Sequence, residues 1–156
     1  MKLRAVFACA SILACGGGST GPADDASTTG SKVITATING APFVATTISA
    51  GYIGGTVSIN GTNSTHTLSI AAINLTGPGT YALNVGNPNS ALAQVQDPAT
   101  NQFSTGFGGT GTLTLTIATI QHVKGTFTFT AYTVAGGGLG KPVVTVQNGV
   151  VDVTSP

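Results

Sequence analysis

Few side chains in this sequence could do catalytic chemistry. There are two histidines, His66 and His122, four aspartates and no glutamate. A Ser/His/Asp arrangement could combine Asp97 with either histidine, because such triads are defined by geometry and not by chain order. Both histidines, however, stand at turn-proximal ends of predicted strands, where a solvated imidazole is the ordinary outcome. We therefore expect no catalytic residue and no enzymatic activity.

Metal ligands are equally sparse. A zinc site built from His66, His122 and one aspartate has suitable ligand chemistry, but no spacing in the sequence supports it. For calcium, residues 24–25 lie in a Gly/Ser/Thr-rich stretch, and Asp97 and Asp152 are isolated in the sequence, so solvated surface aspartates are expected. We expect neither a metal site nor a cofactor.

Cys15 stands where an apolar run ends and a run of glycines begins. Lys2 and Arg4 precede an apolar stretch, residues 5–14, that is too short to span a bilayer as a helix and is typical of an export signal. The stretch leads into Ile-Leu-Ala-Cys, which resembles the lipobox of bacterial lipoproteins. The sequence therefore predicts a signal peptide over residues 1–14 and a lipid-modified Cys15.

Residues 15–32 form the predicted tether between lipid and folded domain. The segment after Cys15 is rich in Gly, Ser and Thr, which favours a flexible chain with a reach of roughly 20–25 Å. Acyl chains contribute about 0.8 kcal/mol per buried methylene, enough to hold a multiply acylated protein at a membrane. Cys9 would leave with the signal peptide, so the mature domain would contain no disulfide. Similarity to Gram-negative lipoproteins, with Gly16 in place of an aspartate, favours the outer membrane.

The composition also limits the partners. Charged residues make up 6% of the chain, and the formal net charge is +1. Without a basic patch, nucleic acid is not an expected partner. The expected partners are the membrane through Cys15, and either an envelope protein or a small apolar ligand; the oligomeric state is left open.

Strand patterns dominate from Val33 onward. In residues 112–118 and 126–132, threonines alternate with apolar residues, which places Leu113, Leu115 and Ile117 on one face of a predicted hairpin. Asn39-Gly40 is a typical tight-turn dipeptide, and a further hairpin is expected around Asn148-Gly149. The remaining predicted strands cover residues 55–60, 66–73 and 91–96, and a short strand enters at Tyr81 and Leu83.

About nine or ten short strands and no long helix predict an all-β fold. We expect residues 33–156 to form a single domain, an antiparallel meander closed into a β-sandwich or small β-barrel. Residues 84–101 and 136–141 are the least regular stretches, and we expect any functional loop to lie there.

Several stretches of the folded part, in their order and spacing, resemble a known family. They are ATINGAPFVAT, GTVSINGTNSTHTLSI, LTGPGTYAL, GTGTLTLT and VKGTFTFTA, which together cover nearly all of residues 33–153. They are similar to a family of bacterial envelope lipoproteins known only as a domain of unknown function. The resemblance implies a class of protein but no activity and no catalytic residues. We therefore expect a non-enzymatic structural or binding module; the alternative is a small-ligand carrier with an apolar barrel cavity.

Overall fold

The computed structural model describes residues 30–84, 91–96, 101–133 and 143–155, and β-strands dominate them. The strands are β1 (Lys32–Ile38), β2 (Ala41–Val44), β3 (Thr47–Ile53), β4 (Thr56–Thr62), β5 (Thr67–Ala72), β6 (Gly79–Ala82), β7 (Ala91–Gln96), β8 (Gln102–Ser104), β9 (Thr110–Ala118), β10 (His122–Thr133) and β11 (Val143–Thr154). One turn of 3-10 helix, Thr105–Phe107, separates β8 from β9. The predicted all-β fold is confirmed, with eleven strands among the described residues.

The strands form one antiparallel sheet that curls into a half-barrel. Its order is β2-β1-β11-β10-β8-β7-β5-β4-β3, and β9 pairs with both β10 and β6. The long strand β10 serves two neighbours along one edge: residues 123–130 pair with β9, and Tyr132 and Thr133 pair with β8. The curl brings β3 against β1 and β10 across the interior. Part of the sheet is not a meander, because β1 pairs with β11 and β5 pairs with β7, strands that do not follow one another in the chain.

The concave face of the curled sheet holds one apolar cluster. Side chains from both halves of the sheet contribute, and the largest fully buried ones are Phe43, Ile34, Ile59, Leu68, Ile70, Leu83, Leu113, Leu115, Val57, Val95, Val123 and Val144. The two halves approach closely at Gly61 of β4, where a Cβ atom would lie 3.1 Å from Ile34 Cγ2 of β1. The period-two pattern of β4 and β5 predicts Val57, Ile59, Leu68, Ile70 and Ala72 on the inner face, and all five are buried there.

Two tight turns set the registers of the hairpins. Asn39 and Gly40 have φ angles of 49° and 82°, and Gly54 and Gly55 have φ angles of 57° and 78°. Two successive left-handed residues give the turn whose twist matches that of paired strands, and Asn and Gly adopt this conformation at low cost. The first turn joins β1 to β2 as predicted, and the second joins β3 to β4.

The predicted hairpin at Asn148-Gly149 is wrong. β11 continues through this dipeptide, with Asn148 at a φ of 50°, and both neighbouring strands shift register there. The dipeptide thus forms a β-bulge, which adds one residue to β11 and keeps Val146 and Val151 on the same, inward face. A Cβ atom at position 149 would overlap the Phe127 ring.

A second bulge corrects the predicted orientation of Ile117. Lys124 pairs with Ile117, but the next residue of β10, Gly125, pairs with Leu115, so Thr116 is the extra residue. Leu113 and Leu115 are buried as expected, whereas Ile117 lies on the outer face and Ala118 is buried in its place. A bulge changes the parity of a strand, which simple alternation cannot represent.

Hydroxyl side chains cover the outer face of the sheet. One cross-strand row runs through Thr35, Val150, Thr126, Thr114 and Thr80, from β1 to β6. Along this row, the Thr80 and Thr114 hydroxyl oxygens are 3.1 Å apart. The threonines predicted to point outward on β9 and β10 do so.

Candidate functional site

The start of β1, the end of β11 and the turn before β10 meet at one end of the sheet. The Thr154 amide donates to the Ser31 carbonyl at 2.7 Å, and the Ser155 amide donates to the Gln121 carbonyl at 2.8 Å. Because Ser31 lies near the end of the predicted tether, residues 15–32, this end is where the tether would join the domain. We call it the tether junction, and it comprises residues 30–32, 119–124 and 152–155.

The tether junction contains a cluster of three ionisable side chains. His122 Nε2 lies 2.7 Å from Asp152 Oδ1, and Lys124 Nζ lies 2.8 Å from Asp152 Oδ2. An ionised carboxylate can only accept hydrogen bonds, so His122 carries its proton on Nε2 in this arrangement. Each oxygen of Asp152 therefore has its own donor.

The strand register brings these three residues together. Lys124 of β10 pairs directly with Asp152 of β11, and His122 lies two residues before Lys124 on the same face. The turn before β10 fixes His122, because its amide donates to Thr119 Oγ1 at 3.0 Å and its carbonyl accepts from the Thr119 amide at 2.9 Å. The cluster is thus part of the sheet and not of a loose loop.

The two donors lower the pKa of Asp152 below its usual value. The hydrogen bond from Lys124 contributes most, and the bond from His122 adds to it, while partial burial works in the opposite direction. Asp152 is 21% exposed and Lys124 is 49% exposed, so solvent screens their attraction. The arrangement keeps Asp152 ionised with its charge balanced by Lys124, and it stabilises the pairing of β10 with β11.

The triad considered from the sequence requires Asp97, which lies outside the described residues. His122 binds Asp152, which the sequence suggested was an isolated surface carboxylate. His66 precedes β5, which is not a neighbour of β10 in the sheet. Its Nδ1 lies 3.0 Å from Thr65 Oγ1. His66 is thus bound within its own loop, whereas His122 is bound to the neighbouring strand.

The loop that carries His66 is held by an asparagine side chain. Asn63 Oδ1 accepts from the Thr65 amide at 2.9 Å and from the His66 amide at 2.8 Å. These hydrogen bonds to the Asn63 side chain close the loop between β4 and β5 and hold His66 in that loop. Within the described parts of the chain, no three His, Cys, Asp or Glu side chains come close enough to hold a metal ion.

Other predicted sites lie outside the described residues. Cys9, Cys15 and the whole of residues 1–29 belong to this group, as do the predicted loop at 136–141 and most of the stretch at 84–101. Of that last stretch, the structure describes Asn84, residues 91–96 and Asn101, and residues 91–96 form β7 as expected. No helix among the described residues is sufficiently long and apolar to cross a bilayer.

Comparison with known proteins defines the family of the chain. No curated protein and no solved structure was found to match it. A family model described as Domain of unknown function (DUF6252) matches residues 30–153, which run from the tether junction to the end of β11. The match covers most of the chain and nearly every described strand in full. The chain therefore belongs to the DUF6252 family of domains of unknown function.

Proposed function

We propose that this protein is a lipid-anchored lipoprotein of the cell envelope whose β-domain is a non-enzymatic structural or binding module. The observation that carries the proposal is the N-terminal sequence. Lys2 and Arg4, a short apolar run, Ile-Leu-Ala-Cys15 and a glycine run follow one another in the order of a lipoprotein signal. Gly16 after the cysteine favours anchoring in the outer membrane.

The chemistry of the described surface supports a module without catalysis. Among the described residues the charged side chains are Lys32, Lys124 and Asp152, and the last two neutralise each other. The remaining described surface carries hydroxyl and amide groups together with exposed apolar side chains such as Val44, Ile53 and Ile120. Such a surface can form hydrogen bonds with a partner, but it offers no cluster of nucleophile, base and acid.

The position of the tether junction is consistent with attachment to a membrane. Lys32 and Lys124 lie at this end, and Ile120, in the turn before β10, is 71% exposed. In the proposed arrangement, a tether with a reach of roughly 20–25 Å leads from the lipid to this end of the domain. The opposite end, with the turn at 39–40, is then available to partners in the envelope.

The packing of the interior favours a binding surface over an enclosed ligand. A carrier needs a cavity of roughly 300–1,000 Å³ lined by apolar side chains. In the described strands, the inward side chains of both halves of the sheet instead pack against one another in a single cluster. Contacts with another protein are therefore the function that we propose for the domain.

Replacement of Cys15 by alanine tests the proposal. We expect Cys15→Ala to abolish incorporation of labelled palmitate and to move the protein from the membrane fraction to the soluble fraction. Cys9→Ala is the matched control, because Cys9 would be removed with the signal peptide and its loss should leave both readouts unchanged. A Cys15→Ala protein that stays in the membrane fraction would refute lipid attachment at this residue.

A further inference from the structure

Three strands have a free edge among the described residues: β2, β3 and β6. The free edge of a strand presents unpaired N–H and C=O groups and can pair with another chain. Proteins usually prevent this with short strands, proline, charged side chains or bulges. The way each edge is protected therefore indicates which one is available for association.

The free edge of β2 is protected against pairing with another strand. Its two-residue turn makes Ile38 and Ala41 exchange both hydrogen bonds, so Pro42 and Val44 direct their backbone groups to the free edge. Pro42 has no N–H to offer there. The Val44 carbonyl already accepts a hydrogen bond from Asn63 Nδ2 at 3.3 Å.

The free edge of β6 is too short to bind a strand. β6 contains four residues and follows directly after Pro78. The Leu83 amide donates to the Gly111 carbonyl, so by alternation Thr80 and Ala82 alone direct their backbone groups outward.

The free edge of β3 carries none of these protections. β3 has seven residues, Thr-Ile-Ser-Ala-Gly-Tyr-Ile, with no charge and no proline, and it pairs with β4 without a register shift. The two-residue turn after Ile53 fixes which groups face outward: the N–H and C=O groups of Ile48, Ala50 and Tyr52. The inward side chains of these three residues are half-buried, whereas Val57 and Ile59 of β4 are fully buried.

We propose that the β3 edges of two copies of this chain pair with each other as antiparallel strands. A two-fold axis at Ala50 places this residue opposite its own copy and places Ile48 opposite Tyr52 of the partner subunit. The edge suits self-pairing because it has no charge that would repel an identical neighbour. Its outer-face residues Ser49 and Gly51 are small, so they do not obstruct the approach.

The same geometry limits the assembly to two copies. A two-fold contact uses the same surface on both subunits and leaves no second copy of that surface exposed. Further growth would need another open edge, and β2 and β6 are protected. The dimer would extend each sheet by the strands of the other copy and cover the half-buried side chains of β3.

Sedimentation velocity of the full chain in detergent, over a concentration series, tests the proposal. We expect a monomer–dimer equilibrium. Ala50→Pro removes an N–H that faces away from β4, so it should weaken dimerisation at least roughly tenfold while β3 stays paired with β4. Ser49→Lys, which adds a charge at the edge, should have the same effect without changing the backbone. Ala71→Lys adds the same charge to the outer face of β5, two strands away, and should dimerise like the wild type.

Hydrogen exchange locates the contact independently. The amides of Ile48, Ala50 and Tyr52 should exchange more slowly as the dimer forms, and the turn amides at 54–55 should not change. A chain that stays monomeric at every concentration would overturn the proposal, as would edge variants that dimerise as tightly as the wild type. The Cys15→Ala chain should still dimerise, which separates this proposal from that of lipid attachment.

Discussion

Asp152 is held by two donors from one neighbouring strand, and its ionisation is therefore linked to folding. Its pKa is lower in the folded chain than the ordinary value of 3.8. A carboxyl group of this kind stabilises the fold above its unfolded pKa, and the contribution is lost as the pH falls through the folded pKa. The stabilisation is thus complete at neutral pH and absent in strong acid.

We expect Asp152→Asn to lower the free energy of unfolding by about 1 kcal/mol at neutral pH, because each partly exposed pair contributes less than about 1 kcal/mol. Urea denaturation at several pH values would measure the difference from the wild type, which should disappear once Asp152 is protonated. Lys124→Gln should cost less, and the double variant should show less than the sum of the two effects. A difference that persists unchanged in strong acid would contradict the assigned charge interaction.

The partner of Asp152 could not be read from the sequence. Thirty positions separate Asp152 from His122, and their contact depends on the register between β10 and β11. The sequence interpretation divided β11 at Asn148-Gly149, which removed the long strand that carries Asp152. The local bonds of His66 involve neighbouring residues and were accessible to sequence reasoning, which correctly placed this histidine beside a turn.

At the scale of elements, one dipeptide adopts two structures. Asn39-Gly40 connects β1 to β2, which pair with each other, and it forms a turn. Asn148-Gly149 lies inside β11, which is flanked in the sheet by β1 and β10, and it forms a bulge. Both asparagines have nearly the same φ angle, 49° and 50°. Gly40 also has a positive φ, whereas Gly149 does not, so the two dipeptides share only the conformation of the asparagine. The pairing with distant strands distinguishes the turn from the bulge.

The bulge in β11 leads to a prediction for Gly149. We expect Gly149→Ala to destabilise the protein by about 1–3 kcal/mol, since the added methyl group would overlap the Phe127 ring and force the two strands apart. Gly51→Ala is the matched control: no atom lies within 4 Å of its added Cβ, and the effect should stay within about 1 kcal/mol. Chemical denaturation would measure both. Equal effects of the two substitutions would contradict the close contact between β10 and β11.

At the scale of the whole molecule, alternation predicted most strands, but not the order in which they join. The hairpins β1–β2 and β9–β10 follow from local patterns, and the apolar positions of β4 and β5 follow from a period of two. The pairing of β1 with β11 and the branch at β10 depend on residues far apart in the chain. A single sequence contains no direct signal for such contacts. The sequence therefore predicted an all-β antiparallel fold but not the order of the strands in the sheet.

The central place of β11 gives a prediction for the whole domain. A chain that ends at residue 142 loses the shared neighbour of β1 and β10 and the buried Val144, Val146, Val151 and Val153. Each buried valine contributes roughly 1.5 kcal/mol or more, against a typical net stability of about 5–15 kcal/mol. We expect this chain to show no cooperative thermal transition by circular dichroism. A chain that ends at Thr154 should retain the transition, and cooperative folding of the shorter chain would refute the central role of β11.

The pairing of β1 with β11 also sets the order of events during biosynthesis. Of the eleven described strands, β1 is made first and β11 last, yet they are neighbours in the sheet. Until β11 has emerged from the ribosome, β1 and β10 lack the strand between them and the core stays open. Under the proposed export, a chain that crosses the membrane with its N-terminus first would therefore cross largely unfolded, and Cys15, the proposed site of lipid attachment, would reach the far side before the fold can close.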